Sequence, residues 1–230
     1  MIGPFALACL DMAGTTVRDD GVVDDAFITA LGAVGVDLDS PRLSAARDYV
    51  QQTMGQSKAE VFAALLDPDD AERATVEFAD AYEAMVAHGR VTAMPGAVQL
   101  FEDLHARGVL VSLTTGFAPS TRDALLDRLG WADRIDLALS PADVGGRGRP
   151  EPDMIFGAMD RLGVPDPAAV VVVGDTLSDL EAGARAGAGA VIGVLTGAHS
   201  RATLLTGPHT ELIDDITQLI RLLSTSETPG

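Results

Sequence analysis

One cysteine, one lysine and ten aromatic side chains (seven Phe, two Tyr, one Trp) are spread over 230 residues. Each scarcity excludes something. A single cysteine, Cys9, rules out a disulfide framework within the chain and fits a reducing cytoplasm, and its place in an apolar run reads as a small buried hydrophobe. Only 16 basic residues face 34 acidic ones, for a net charge of −18. That balance argues against nucleic acid or an anionic membrane surface as a partner. An anionic substrate must then be drawn by a local positive site. No run approaches the ~20 apolar residues of a membrane span. The apolar start, 1–10, has neither a basic leader nor a small-residue cleavage site and does not read as a signal peptide. A coding bias towards Arg, Ala and Gly explains why lysine is rare. It does not explain why one remains, or why at position 58.

Hydrophobic residues make up 47% of the chain, enough for a substantial core in one or two domains. Five short apolar runs stand out: Phe5–Leu10, Val109–Thr114, Ile135–Leu139, Val170–Gly174 and Ala190–Leu195. Continuous apolarity over so few residues predicts strands buried on both faces, hence a parallel sheet. Helical patterns fill Pro95–Arg107, Pro119–Leu129, Asp153–Leu162 and Ser178–Ala186, and an amphipathic helix is expected over Glu211–Leu223. Alternation of this kind predicts a doubly wound α/β sheet. From about Val22 to Gly89 the alternation stops. Helix-period patterns take over at Asp25–Val34, Pro41–Gln52, Lys58–Leu66 and Asp70–Val86. The expected organisation is an α/β core of 1–21 and 90–230 with an all-helical cap, 22–89, inserted after the first strand. Gly21 and the Met94-Pro95-Gly96 turn are the expected hinges, and a polar frayed tail follows Ser224.

Chemistry-bearing residues cluster at the predicted strand ends. The first strand runs into Asp11-Met12-Ala13-Gly14-Thr15-Thr16. A carboxylate there sits where α/β ligand sites form and can serve as nucleophile or metal ligand, although an aspartate after a strand is often only turn chemistry. The fourth ends in Gly174-Asp175-Thr176-Leu177-Ser178-Asp179. Its two carboxylates suit Mg²⁺, while Thr176 with Asp179 also makes a helix capping box. The second ends in Thr114-Thr115-Gly116-Phe117, whose hydroxyls and free N–H groups suit phosphoryl oxygens or a plain turn. Arg149 precedes Pro150, which restricts its backbone. A placed guanidinium suits a phosphoryl group, whereas Arg147 reads as a solvated loop residue.

Together these four loops, and the helical insertion after the first, resemble the haloacid-dehalogenase superfamily over the whole chain. The resemblance implies Asp11 as nucleophile. It implies Mg²⁺ held by Asp11, the Ala13 carbonyl and Asp175, with Asp179 supporting the site. Thr114, Thr115 and Gly116 would bind phosphoryl oxygens, and Arg149 would take the place of the usual third-motif lysine. Two departures matter. Most phosphatases of this group carry an acid two residues after the nucleophile, and here that place is Ala13. The third-motif lysine is an arginine. Both departures, and the run Asp11–Val17, resemble the phosphonoacetaldehyde hydrolase branch, which replaces the missing acid by a cap lysine that forms a Schiff base.

The single lysine lies in Met54-Gly55-Gln56-Ser57-Lys58-Ala59-Glu60, which resembles that branch's Met-Gly-x-x-Lys signature. Ser57 and Glu60 are expected to form a capping box that puts Lys58 at the first helical position. A cation there opposes the helix dipole, which favours the free amine. Met54, Gln56 and Ser57 would line the carbonyl end of a substrate. The branch's cap histidine, three residues after the lysine, is here Val61; His88 and His105 read as structural or solvated. The resemblance implies a cytoplasmic Mg²⁺-dependent hydrolase cleaving the C–P bond of a 2-oxo-phosphonate through Lys58 and a phospho-aspartyl Asp11, with a homodimer through the cap as its oligomeric counterpart. The alternatives are a phosphomonoesterase acting on a small phosphorylated metabolite and a non-catalytic phosphate-binding domain.

Overall fold

The structure, a computed structural model, describes residues 5–18, 20–37 and 39–224; the tail expected after Ser224 lies outside them. Six parallel strands form the main sheet in the order β5-β4-β1-β6-β7-β8. They are β1 (Leu7–Asp11), β4 (Leu110–Thr114), β5 (Leu137–Leu139), β6 (Val170–Gly174), β7 (Ala190–Val194) and β8 (Glu211–Ile213). Every residue of β1, β6 and β7 is buried, as expected of strands covered on both faces. Cys9 is 1% exposed, and burial pushes its thiol up to about 12, so it stays protonated.

The crossover helices are α5 (Ala97–Ala106), α6 (Pro119–Leu129), α7 (Asp153–Leu162) and α8 (Leu177–Ala186), followed by the short α9 (Arg201–Leu204) and α10 (Leu219–Ser224). α5 buries Ala97, Leu100, Phe101 and Leu104, and α7 buries Met154, Ile155, Ala158 and Met159. Trp131, just beyond α6, is fully buried and meets Phe101 of α5 edge-on at 5.1 Å between ring centroids. Between β1 and β4 lie four further helices: α1 (Val22–Ala33), α2 (Pro41–Gln52), α3 (Lys58–Leu65) and α4 (Pro68–Ala87). Ser40 and Asp67 start α2 and α4 by accepting from the N–H groups of Leu43 and Asp70. The chain leaves and re-enters the sheet through a two-stranded antiparallel ribbon of β2 (Val17–Arg18) and β3 (Thr92–Ala93), which the period-two pattern was too short to announce. Gly21 and Gly96 cap α1 and α5 with φ of 87° and 84°. Phe27, Phe62 and Phe78 tie α1, α3 and α4 together at centroid separations of 4.6 to 6.2 Å.

The C-terminal segment corrects the sequence reading. Glu211–Leu223 is not one helix. Glu211–Ile213 pairs with β7 as β8, a short 3-10 turn spans Ile216–Gln218, and α10 begins only at Leu219. Leu212 and Ile213 satisfy a helical period, but the unpaired edge of β7 offers their backbone groups a ladder, and pairing there buries both side chains. Among the described residues, no helix is long and apolar enough to cross a membrane.

Candidate active site

All six strands run the same way, so their carboxyl ends share one edge. Asp11 closes β1 opposite Thr114 at the end of β4, and Asp175 follows β6 on the other side of β1. After Asp11 the chain turns sharply: the N–H groups of Thr15, Thr16 and Val17 all donate to the Met12 carbonyl at 2.7 to 3.2 Å. The Thr16 hydroxyl donates to the Asp11 carbonyl at 2.8 Å, which fixes the end of the strand.

Asp175 is held on three sides. It accepts from the Thr15 hydroxyl at 3.1 Å and from the Ala198 N–H at 2.7 Å. Gly197 presses so close that a Cβ there would lie 2.0 Å from Asp175 Oδ2. Its carboxyl is pushed up to about 7, first by burial and then by the nearby Asp11 charge. Thr176 and Asp179 form the expected capping box at the start of α8, with the Thr176 N–H donating to Asp179 Oδ2 at 3.0 Å. Arg149, 4% exposed, lies before a cis peptide bond to Pro150. Its Nη1 donates to Asp11 Oδ1 at 2.6 Å and also to Asp179 Oδ1. Its Nε is buried without a hydrogen-bond partner. Burial pushes the Asp11 carboxyl above its usual range, against the lowering pull of Arg149, a backbone hydrogen bond at Met12 and the Lys58 charge.

One oxygen each from Asp11, Asp175 and Asp179 lies within 4.8 Å of the others. Three buried carboxylates and one guanidinium leave a net charge of −2 when all are ionised. Hard oxygens with that deficit fit a divalent cation.

A cavity of about 480 Å³ opens above this edge. Of the residues singled out from sequence, Asp11, Ala13, Met54, Lys58, Thr115 and Asp175 line it. Thr114, Gly116, Gln56, Ser57, Arg149 and Asp179 do not line it. Arg149 is instead buried in ion pairs with both Asp11 and Asp179. Lys58 is at the first position of α3, as the sequence indicates, but the expected capping box is absent: the Ser57 side chain makes no cap hydrogen bond. The Lys58 N–H, which an N-cap side chain does not reach, donates to the Gly116 carbonyl at 3.2 Å and ties the start of α3 to the loop after β4. Lys58 itself is 7% exposed, with its Nζ near three phenylalanine rings. Arg147 pairs with Asp153 on the surface, and His105 with Asp136.

Sequence reasoning missed Thr15, the Thr196-Gly197-Ala198 loop and the rings around Lys58. The loop follows β7 at the same sheet edge, and that position alone was a signal.

A doubly wound α/β protein with an aspartate at the end of a central strand is the class that this sheet and this edge define. The chain belongs to the haloacid dehalogenase-like hydrolases, whose family model matches residues 5–187. It is 28% identical to the phosphonoacetaldehyde hydrolase of Latilactobacillus sakei, over 94% of this chain and 83% of that protein. Identity to the enzyme of that name from Bacteroides fragilis is 36%, but the match spans only 41% of that protein and 47% of this chain. The N-acetylmuramic acid 6-phosphate phosphatase of Pseudomonas aeruginosa is 30% identical, over 77% of this chain and 76% of that protein. A hydrolase from Pseudomonas syringae shares the fold, with a TM-score of 0.83, 23% identity and coverage of 97% of this chain and 100% of that one.

Proposed function

We propose that this hydrolase cleaves the C–P bond of a 2-oxo-phosphonate, phosphonoacetaldehyde or a relative. The observation that carries the reading is the pairing of an absence with a presence. Ala13 stands where an acid would protonate an ester oxygen, and the chain's single lysine is buried on the wall of the same cavity.

In this reading α1 to α4 form a cap over the core, and Lys58 meets the substrate from the cap side. Lys58 gives up one ammonium proton and adds as the free amine to the carbonyl; the proton returns as the carbonyl oxygen leaves as water, and an iminium remains on Nζ. Asp11 Oδ attacks phosphorus. The electron pair of the breaking C–P bond passes into the iminium, which becomes an enamine. Water hydrolyses the aspartyl phosphate, while protonation and hydrolysis of the enamine release the amine. Arg149 holds Asp11 in line through Nη1, and its guanidinium supplies positive charge beside the phosphoryl group. Asp11, Asp175 and Asp179, with the Ala13 carbonyl, would hold Mg²⁺, which supplies charge neutralisation at the phosphonate. Thr114, Thr115 and Gly116 would serve the phosphoryl oxygens.

A second reading, phosphomonoester hydrolysis, draws on the similarity to the N-acetylmuramic acid 6-phosphate phosphatase over 77% of the chain. Lys58→Arg separates the two. It keeps the charge but forms no reactive imine. The expected result is loss of C–P cleavage by at least about a thousandfold, with slow acyl-phosphate hydrolysis retained. Undiminished cleavage of a 2-oxo-phosphonate by that variant would transfer the assignment to the phosphomonoesterase.

A further inference from the structure

Five of the chain's ten aromatic side chains, Phe27, Phe62, Phe78, Tyr82 and Phe117, gather in one continuous cluster. Three of them face its single lysine. Lys58 Nζ lies 5.5 Å from the ring centroid of Phe117 and 6.0 Å from those of Phe27 and Phe78. The rings come from three separate places: α1, α4 and the loop after β4. They also touch one another, with centroids 5.2 Å apart for Phe27 and Phe78 and 6.0 Å for Phe78 and Phe117. Ring faces carry negative partial charge, so three rings at this range around a nitrogen on a 7% exposed side chain attract a cation where water is scarce. Filling a core requires apolar volume, which leucine would also supply. It does not require ring centroids at that range from a buried nitrogen.

We propose that Phe27, Phe78 and Phe117 form an aromatic box that holds the Lys58 nitrogen as a cation, first as ammonium and then as the iminium of the substrate adduct. The second half rests on the Schiff-base reading above. Over the whole condensation ammonium plus carbonyl gives iminium plus one water, so the same nitrogen is a cation before and after and is neutral only while it adds to the carbonyl. A neutral imine accepts the C–P electron pair poorly, and the box opposes its formation. When the pair arrives, the nitrogen becomes a neutral enamine and the box no longer attracts it. The other charged groups on the cavity are Asp11, Asp175, Arg18, Asp20 and Asp24. Of these, Asp11 interacts electrostatically with Lys58 and is one rival source of cation stabilisation. Changing the rings leaves that source in place.

The test uses the full chain with Mg²⁺ and replaces Phe117 by mono-, di- and trifluorophenylalanine, which withdraw charge from the ring face and preserve its shape. In the free enzyme, lysine labelled at the ε-carbon gives a single resonance. Ring currents should displace its protons upfield, and Phe117→Leu should move them back. With phosphonoacetaldehyde as probe, borohydride reduces the iminium. The rate of trapping at Lys58 and kcat should fall together with each fluorine, by about tenfold over the series, while Phe117→Tyr keeps both. A lysine resonance at its exposed position, or trapping independent of fluorine count, overturns the box. A displaced resonance in a wild-type enzyme that is never trapped overturns the adduct half together with the Schiff-base reading; the ammonium half then stands only if Phe117→Leu lowers the pH at which the ε-carbon resonance titrates.

Discussion

Asp175→Asn should stabilise the metal-free protein, although it removes a charged residue from the candidate active site. Asp175 is 1% exposed, and its carboxyl is pushed from 3.8 to about 7 by burial first and by Asp11 second. The folded state therefore holds this proton more tightly than the unfolded chain does. Below pH 3.8 the group costs nothing. As pH rises from there, stability falls, and above about pH 7 the whole cost is present. At about 1.4 kcal/mol per pH unit, that cost is about 4 kcal/mol at pH 8 and about 2 kcal/mol at pH 5.5. Asparagine removes it and keeps an oxygen for the Ala198 N–H, now 2.7 Å away. The Thr15 hydroxyl donates to the other carboxylate oxygen, which becomes an amide NH2 that cannot accept from it, and that loss returns about 1 kcal/mol. Urea unfolding in EDTA should thus show the variant more stable than wild type by about 3 kcal/mol at pH 8, with the gap narrowing by about 2 kcal/mol at pH 5.5. Adding Mg²⁺ should stabilise wild type far more than the variant. A variant less stable than wild type at pH 8 in EDTA would refute the reasoning, because the carboxylate would then be adequately compensated by the protein alone.

Three further outcomes follow from the same geometry. Calorimetry should find Mg²⁺ affinity falling by about tenfold per pH unit below pH 7, since the ion must displace the Asp175 proton; a flat profile from pH 5.5 to 8 removes Asp175 from the ligand set. Asp11→Asn should abolish turnover with an unchanged circular dichroism spectrum, and wild-type-like activity would exclude Asp11 as nucleophile. Gly116→Ala puts a Cβ 2.2 Å from the Gln56 carbonyl oxygen, so thermal unfolding should report a loss of about 1–3 kcal/mol; an unchanged midpoint would mean that the two loops separate at no cost.

The order of local periods was enough to read the α/β alternation, the helical stretch between the first and second apolar runs, and the strand-end aspartates. Val170–Gly174 and Pro119–Leu129 match their expected bounds because continuous apolarity and an initial proline are signals carried within the element itself. Lys58 stands at the first position of α3 as expected, although the Ser57 cap on which that expectation rested is not made. What surrounds these residues was not legible. β8 exists because the edge of β7 was open to it, and a local period cannot register an edge. The Ser57 hydroxyl makes no cap hydrogen bond, and the Lys58 N–H finds its partner in the Gly116 carbonyl, 58 positions further along the chain. The displaced Asp175 carboxyl depends on burial beside Asp11 and between the Gly14 and Gly197 backbones, and the rings facing Lys58 come from positions 27, 78 and 117. Residue types and spacings determine which groups the chain can offer to a reaction. Only packing between distant segments decides how much water each group loses and which charge or ring face it meets, and those two quantities set its ionisation and its chemistry.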